Sequence, residues 1–379
     1  MAAHAKLSAS GSSRWLTCSG SIEASKGYPN SSNIYADMGS LAHQVGELCL
    51  RKNKDAEDYL GKDLKKHFPD GLLVPTTVPE DMIKPVQQYL DFARSFIRKN
   101  STVMVEVRVN YSEYIGQPKS FGTADFICTN GDHVDIVDLK YGMGLVSAVE
   151  NTQAQLYALG VLNELDWLED FKTVTVHIAQ PRTRPANFSS WDISVADLLK
   201  FAKYAKRRAK LALSKNAPRT VSEKACEWCP ARADCKTLHD HVTEVIGAMF
   251  DDMTTLSDDH KHKLILNKKL ILNFIKAVET SVTESLLAGE DVSGFYLGVG
   301  RSTRRWSEEA EEYLQENYDP DEIYTQKLIG VTQGDKLLSR DEMQQHTMKP
   351  DGLPVLCLDG AKTKRYVLED VSSDFEDVS

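Results

Sequence analysis

The stretch FGTADFICTNGDHVDIVDLK, residues 121–140, consists of two apolar runs joined by turn residues. Phe121 to Cys128 and His133 to Lys140 are rich in β-branched and aromatic side chains, and Asn130-Gly131 between them favours a two-residue hairpin turn because both residues tolerate positive φ. An antiparallel pair of strands is expected. A turn at Asn130-Gly131 pairs Thr129 with Asp132, which sets Asp125 opposite Ile136 and diagonal to Asp138. Side chains alternate across a strand, so Asp138 and Lys140 leave one face, and this register adds Asp125 to it. Diagonal neighbours lie about 7–8 Å apart at the backbone, a gap that two short carboxylates close around one divalent ion.

That constellation suits phosphodiester hydrolysis, which needs a hard cation to neutralise the non-bridging oxygens and acidify an attacking water. Oxygen donors of this kind suit Mg²⁺ or Mn²⁺. Asp125 and Asp138 are the candidate ligands, and Lys140 is placed to orient the water and stabilise developing charge. The competing reading makes all three ordinary polar positions on a solvated sheet face.

Working outward, Met38 to Lys52 reads as a helix with Leu41, Val45, Leu48 and Cys49 at helical spacing, and Pro79 to Lys99 as a second. Val103, Val105, Val107 and Val109 then alternate with Met104, Glu106 and Arg108, predicting a strand with Glu106 directed away from the valine face. Beyond the hairpin, Glu150 to Asn163 reads as a helix carrying Gln153 and Tyr157 one turn apart, and Thr173 to Ala179 as another strand. Helix, three strands, helix and strand make an α/β core on a small mixed sheet flanked by helices. Asp192 to Ser214 reads as a long basic helix. Its Lys203, Arg207 and Lys210, with Lys200, Lys206 and Arg208, form a cationic stripe that suits a phosphate backbone or, more blandly, a solvated face. Gln180-Pro181-Arg182, at the end of the last core strand, is a further candidate DNA contact.

The net charge of −10 supplies no global attraction for nucleic acid, so any DNA contact must rest on local basic residues or bound cations. No signal peptide and no apolar run long enough for a membrane span is found, which points to a soluble, intracellular protein. Seven cysteines include Cys226-Glu-Trp-Cys229 followed by Cys235. Three thiolates need a fourth ligand, and on chemistry alone either a tetrahedral zinc site or an iron–sulfur cluster fits them. The expected organisation is a core over residues 1–240, a helical and mixed region over 241–368, and an acidic disordered tail over 369–379.

Gly122-Thr123-Ala124-Asp125, Asp138-Leu139-Lys140 and Gln153-Ala154-Gln155-Leu156-Tyr157 together resemble the RecB-type branch of the PD-(D/E)XK nucleases. The resemblance covers roughly Ser8 to Thr237 and implies a restriction-endonuclease-like core. It makes Asp125 and Asp138 metal ligands, Lys140 the catalytic amine, and Gln153 and Tyr157 its support. Gly39-Ser40-Leu41-Ala42-His43 matches an upstream motif whose histidine binds metal, which makes His43 a ligand; Glu47 shares its helix face, and Glu106 sits where the family often carries an acid. Members similar to the AddB helicase–nuclease subunit and to CRISPR-adaptation nucleases hold a [4Fe–4S] cluster on one early and three late cysteines, here Cys18, Cys226, Cys229 and Cys235; zinc is the alternative. The Trp15-Leu16-Thr17-Cys18 opening is similar to nuclease-like proteins of bacteriophages and prophages. The implied function is a Mg²⁺- or Mn²⁺-dependent DNA exonuclease that processes ends in phage recombination or replication, in the cytoplasm of a bacterial host, beside recombination or single-strand-binding proteins. The alternatives are a structure-dependent endonuclease and a non-catalytic DNA-binding or assembly protein that keeps the fold.

Overall fold

The computed structural model describes residues 5–28, 33–165, 170–247 and 257–296. Four helices precede the sheet: α1 (Ser12–Thr17), α2 (Ser21–Ala24), α3 (Ile34–Lys52) and α4 (Glu80–Arg94). Then come β1 (Thr102–Asn110), α5 (Ser112–Ile115), β2 (Phe121–Asn130), β3 (His133–Leu139), α6 (Thr152–Leu165), β4 (Thr173–Gln180), β5 (Asn187–Ser194) and α7 (Val195–Ala212). Three more helices follow, α8 (Glu223–Cys226), α9 (Lys236–Gly247) and α10 (Asp258–Leu287).

The strands form one mixed sheet in chain order. β1, β2 and β3 make an antiparallel meander, β4 lies parallel to β3, and β5 returns antiparallel on β4. The parallel step requires a crossover, which α6 supplies. The expected α/β class with a small mixed sheet flanked by helices is what is found. One face packs on α3 and α4 through Leu41, Val45, Met82, Leu90, Phe126 and Val137; the other packs on α6 and α7 through Ile127, Ile136, Leu156, Leu159, Ala202 and Ala205. α9 and α10 pack on each other through Leu238, Val242 and Leu270, beside Cys226 and Cys235, so the compact unit continues past residue 240.

Helix starts follow their caps. Asn33 accepts from the Tyr35 and Ala36 N–H groups and begins α3 four residues before the expected Met38, and Ser194 accepts from Asp197 N–H and begins α7. The expected helix from Asp192 is therefore corrected at its start, because Asp192 to Ser194 belong to β5. That strand escapes a period-two reading because both of its faces pack against apolar layers, Phe188 toward α4 and Trp191 and Ile193 toward α6 and α7.

The hairpin register also differs. Asn130 pairs with His133, and Gly131 at φ 63° with Asp132 forms the turn. Positive φ at the first central residue alone is the φ pattern of a type II′ turn, with glycine in its required place. Continuing this ladder past Phe126 and Val137 sets Asp125 directly opposite Asp138, not diagonal to it. The turn centre moves by one residue, so each partner changes by two and the alternation of faces survives.

A second difference lies in β1. The four valines do not share a face: Val105 packs toward α3 and α4, Val107 and Val109 toward α6. The switch occurs at Glu106, whose φ is 47°, and on β2 the matching switch lies at Asp125. Register continues across this point, but the ladder omits the Glu106–Asp125 pair. The helices expected at Glu308 to Asn317 and Asp335 to Leu338, the acidic tail and Cys357 lie outside the described residues.

Candidate functional site

The switch at Glu106 and Asp125 turns two carboxylates toward α3. His43 Nδ1 lies 3.3 Å from Asp125 Oδ1 and 3.8 Å from Glu106 Oε1, and one donor atom from each of the three residues falls within 4.8 Å of the others. Adjacent ligands of an octahedral ion at about 2.1 Å are separated by about 3 Å, so this spacing fits one small divalent cation. The other Asp125 oxygen, Oδ2, accepts the Leu139 N–H at 2.7 Å, which fixes the carboxylate and leaves Oδ1 facing the imidazole. These residues line a cleft of ≈ 450 Å³ with Ala36, Gly39, Ser40, Gln44, Glu47 and Thr123.

Asp138 stands outside that tight trio. It meets the Lys140 ammonium at 2.7 Å through Oδ2, and its Oδ1 accepts from Gln153 Nε2 at 3.1 Å. Gln153 binds three partners, since its Oε1 also accepts from Lys140 Nζ at 3.0 Å and its Nε2 donates to the Tyr157 hydroxyl at 2.8 Å. Gln153 thus contacts Lys140 directly, and Tyr157 reaches it only through Gln153. Asp138 Oδ2 is buried against the Lys140 ammonium, its one polar contact among the described residues. Gly122 permits the arrangement: a Cβ there would stand 2.5 Å from the Tyr157 ring.

Charges are tightly linked here. Burial opposes ionisation of Asp125, but the His43 imidazole, the Lys140 ammonium and the Leu139 N–H outweigh it and hold the carboxyl below its usual range. Burial pushes Asp138 up, and the Asp125 charge adds to that against the pull of Lys140. Glu106 is raised, chiefly by burial. For His43 burial works against protonation, yet Asp125 and Glu106 prevail and lift it to about 10. Lys140 is raised in the same way, its burial outweighed by Asp138 and Asp125. The pocket thus concentrates negative charge, which a cation would relieve.

Residues 4–364 match the family model described as Protein of unknown function (DUF2800). The chain belongs to the DUF2800 family. A solved structure described as the crystal structure of SSO0001 aligns at 13% identity over 61% of this chain and 85% of its own, with a TM-score of 0.27.

In this DUF2800 chain the four cysteines converge. Cys18, at the C-terminus of α1, lines one small pocket with Cys226, Cys229 and Cys235. Thr220 N–H donates to Cys18 Sγ at 3.3 Å and Arg219 Nη1 to Cys235 Sγ at 3.8 Å. The approach depends on Gly20, where a Cβ would lie 2.7 Å from the Ala217 carbonyl. Cys49 and Cys128 are buried elsewhere, as small apolar side chains are.

Of the candidate DNA contacts, Lys203, Arg207 and Lys210 are exposed on α7 and form no ion pair among the described residues. Arg208 leaves the stripe: its guanidinium donates to the Leu16 and Thr17 carbonyls at 2.6 and 2.9 Å, capping α1 beside Cys18. Lys200 pairs with Asp197 at 2.8 Å. Arg182 lies over the Tyr141 ring at 4.7 Å. Gln180 is fully buried and holds the loop after β3 through Val146 N–H at 2.9 Å and the Gly144 carbonyl at 2.7 Å. No sequence signal marks that role, since an internal clamp depends on a loop that only the fold brings near. No helix among the described residues is long and apolar enough to cross a membrane.

Proposed function

We propose that this chain is a divalent-cation-dependent deoxyribonuclease of PD-(D/E)XK type, acting on DNA ends. The observation that carries the reading is the meeting of two groups at one strand end: His43, Glu106 and Asp125 as ligands, and Asp138, Lys140 and Gln153 as a fixed, charged amine. His43, Glu106 and Asp125 would hold the cation, with Asp138, ion-paired to Lys140, beside them. When bound, Mg²⁺ or Mn²⁺ supplies neutralisation of the phosphate oxygens and acidification of water, and an imidazole donor favours Mn²⁺ over an all-oxygen preference.

The chain's own part is positioning. Lys140 is kept charged by Asp138 and aimed by Gln153, so its ammonium can orient the attacking water and stabilise charge as it develops on the phosphate. Asp125 is held by Leu139 N–H, which limits the reorganisation needed to receive a cation. The cleft over Gly39 and Ser40, small residues on the same helix face as His43, leaves room for a sugar–phosphate backbone.

The cysteine pocket is read as a [4Fe–4S] site. The four cysteines line one pocket and would hold either tetrahedral zinc or an iron–sulfur cluster; the resemblance to cluster-bearing nucleases favours the latter. The role assigned is a staple between α1 and the segment after α7.

End-labelled single- and double-stranded DNA incubated with Mn²⁺ tests the enzyme reading. Wild type should shorten labelled strands progressively from an end, and Asp138→Ala should fold and leave DNA intact. Full cleavage by Asp138→Ala would sink the assignment. Wild type that binds DNA without cutting it would instead favour the non-catalytic reading, and internal nicking of closed circles the endonuclease.

A further inference from the structure

α3 carries His43, Glu47 and Arg51 at successive intervals of four, so these side chains follow one face of the helix. Arg51 uses its planar fork on two elements. Its Nε donates to Glu47 Oε1 at 2.7 Å, and its Nη2 donates to the Val105 carbonyl of β1 at 2.7 Å. Gln44 Nε2 holds the other Glu47 oxygen at 2.8 Å, so the guanidinium is itself fixed in direction.

Val105 is the last paired residue of β1 before Glu106. A glutamate at φ 47° inside a strand is strained, and such a conformation persists only where its surroundings over-determine it. β1 lies at the edge of the sheet, where carbonyls on the open side have no strand partner. The Arg51 fork supplies a partner on the residue adjoining the strained one, and ties it to the helix that bears His43.

We propose that Arg51 is a positioning residue for the cation site, fixing through the Val105 carbonyl the turn of backbone that points Glu106 at His43. The inference rests on the reading that His43, Glu106 and Asp125 bind a cation, and does not require that DNA be the substrate. An exposed Glu47–Arg51 pair alone would matter little to stability or to the site; the tie to β1 gives it consequence. Groups that orient ligands in this indirect way commonly change metal affinity about 10–100-fold when removed.

Mn²⁺ titrated calorimetrically at one pH into full-length wild type, Arg51→Met, Arg51→Lys, Glu106→Ala and the Arg51→Met/Glu106→Ala double variant tests this, alongside melting of the metal-free proteins. Arg51→Met should bind Mn²⁺ about 10–100-fold more weakly with a nearly unchanged metal-free melting temperature. Arg51→Lys, which keeps the charge and a single donor, should recover part of the loss, and it carries the comparison if the methionine variant does not fold. In the Glu106→Ala background the methionine substitution should cost nothing more, because its effect runs through Glu106. Affinity within twofold of wild type for Arg51→Met, or losses that multiply in the double variant, overturns the role of Arg51. Failure of wild type itself to bind Mn²⁺ overturns the cation reading, and this inference with it.

Discussion

Asp125 holds two structural roles at once: one carboxylate oxygen accepts the Leu139 N–H at 2.7 Å while the other faces His43 Nδ1 at 3.3 Å. The first contact joins β2 to the end of β3, next to Lys140. The second joins β2 to α3. The contact with His43 and the closure of the strands therefore depend on one side chain, and substitutions can separate them.

Asp125→Asn keeps an oxygen able to accept from Leu139 but removes the negative charge. It should lose Mn²⁺ affinity by at least tenfold, on the order of one ligand's contribution. Asp125→Ala should lose it too and in addition leave a buried N–H unpaired, costing about 1–3 kcal/mol. Calorimetry and thermal melts compare them. Wild-type Mn²⁺ affinity in Asp125→Asn would remove this residue from the ligand set.

A second buried carboxylate predicts the acid limb of stability. Asp135 Oδ1 lies 3.0 Å from His177 Nε2 and 3.2 Å from His133 Nε2, and His177 Nδ1 lies 2.7 Å from the Ser190 hydroxyl. Burial opposes its charge, but the two histidines outweigh burial and hold its pKa below the usual carboxylate value. A carboxyl lowered on folding contributes stability that is present above its unfolded value near pH 3.9 and is lost as pH falls through the folded value. Asp135→Asn should therefore be less stable at neutral pH, by about 1–3 kcal/mol, and its stability should fall less steeply below pH 4 than that of wild type. Parallel acid limbs in denaturant titrations would contradict this.

Charge reversal at Lys203 and Arg207 changes exposed groups on α7 and should leave melting nearly unaltered. If α7 tracks a phosphate backbone, DNA affinity should fall and the slope of log affinity against log salt should shrink by about 2. An identical slope would leave the stripe as a solvated helix face.

Anaerobically purified protein should be brown and contain about four irons, and Cys229→Ser should bleach it and destabilise the α1 contact by several kcal/mol on the loop-closure estimate. Stoichiometric zinc without iron in wild type would overturn the cluster assignment while leaving the staple intact.

Much of the fold is legible in local pattern. The hairpin of residues 121–140 declares itself because its apolar runs are short, β-branched and broken by a glycine turn. Gln153 and Tyr157 can be placed together because a helix repeats every 3.6 residues. β5 is not legible, since its apolar residues Phe188, Trp191 and Ile193 divide between two layers and its alternating apolar signal is too short to declare a strand. Nor is the position of Glu106: alternation places it opposite the valines, but the valines themselves divide between faces at its left-handed backbone.

By itself, then, the sequence determined the residue types, the hairpin, the helix carrying Gln153 and the α/β class, because these depend on contacts a few residues apart. The tertiary structure alone decided that Glu106, not Asp138, lies within 4.8 Å of both His43 and Asp125, that Arg208 caps α1, and that Arg51 bridges α3 to the Val105 carbonyl. Those outcomes depend on how a strand edge twists against a distant helix, and chain-distant packing of that kind leaves no periodic mark on the sequence.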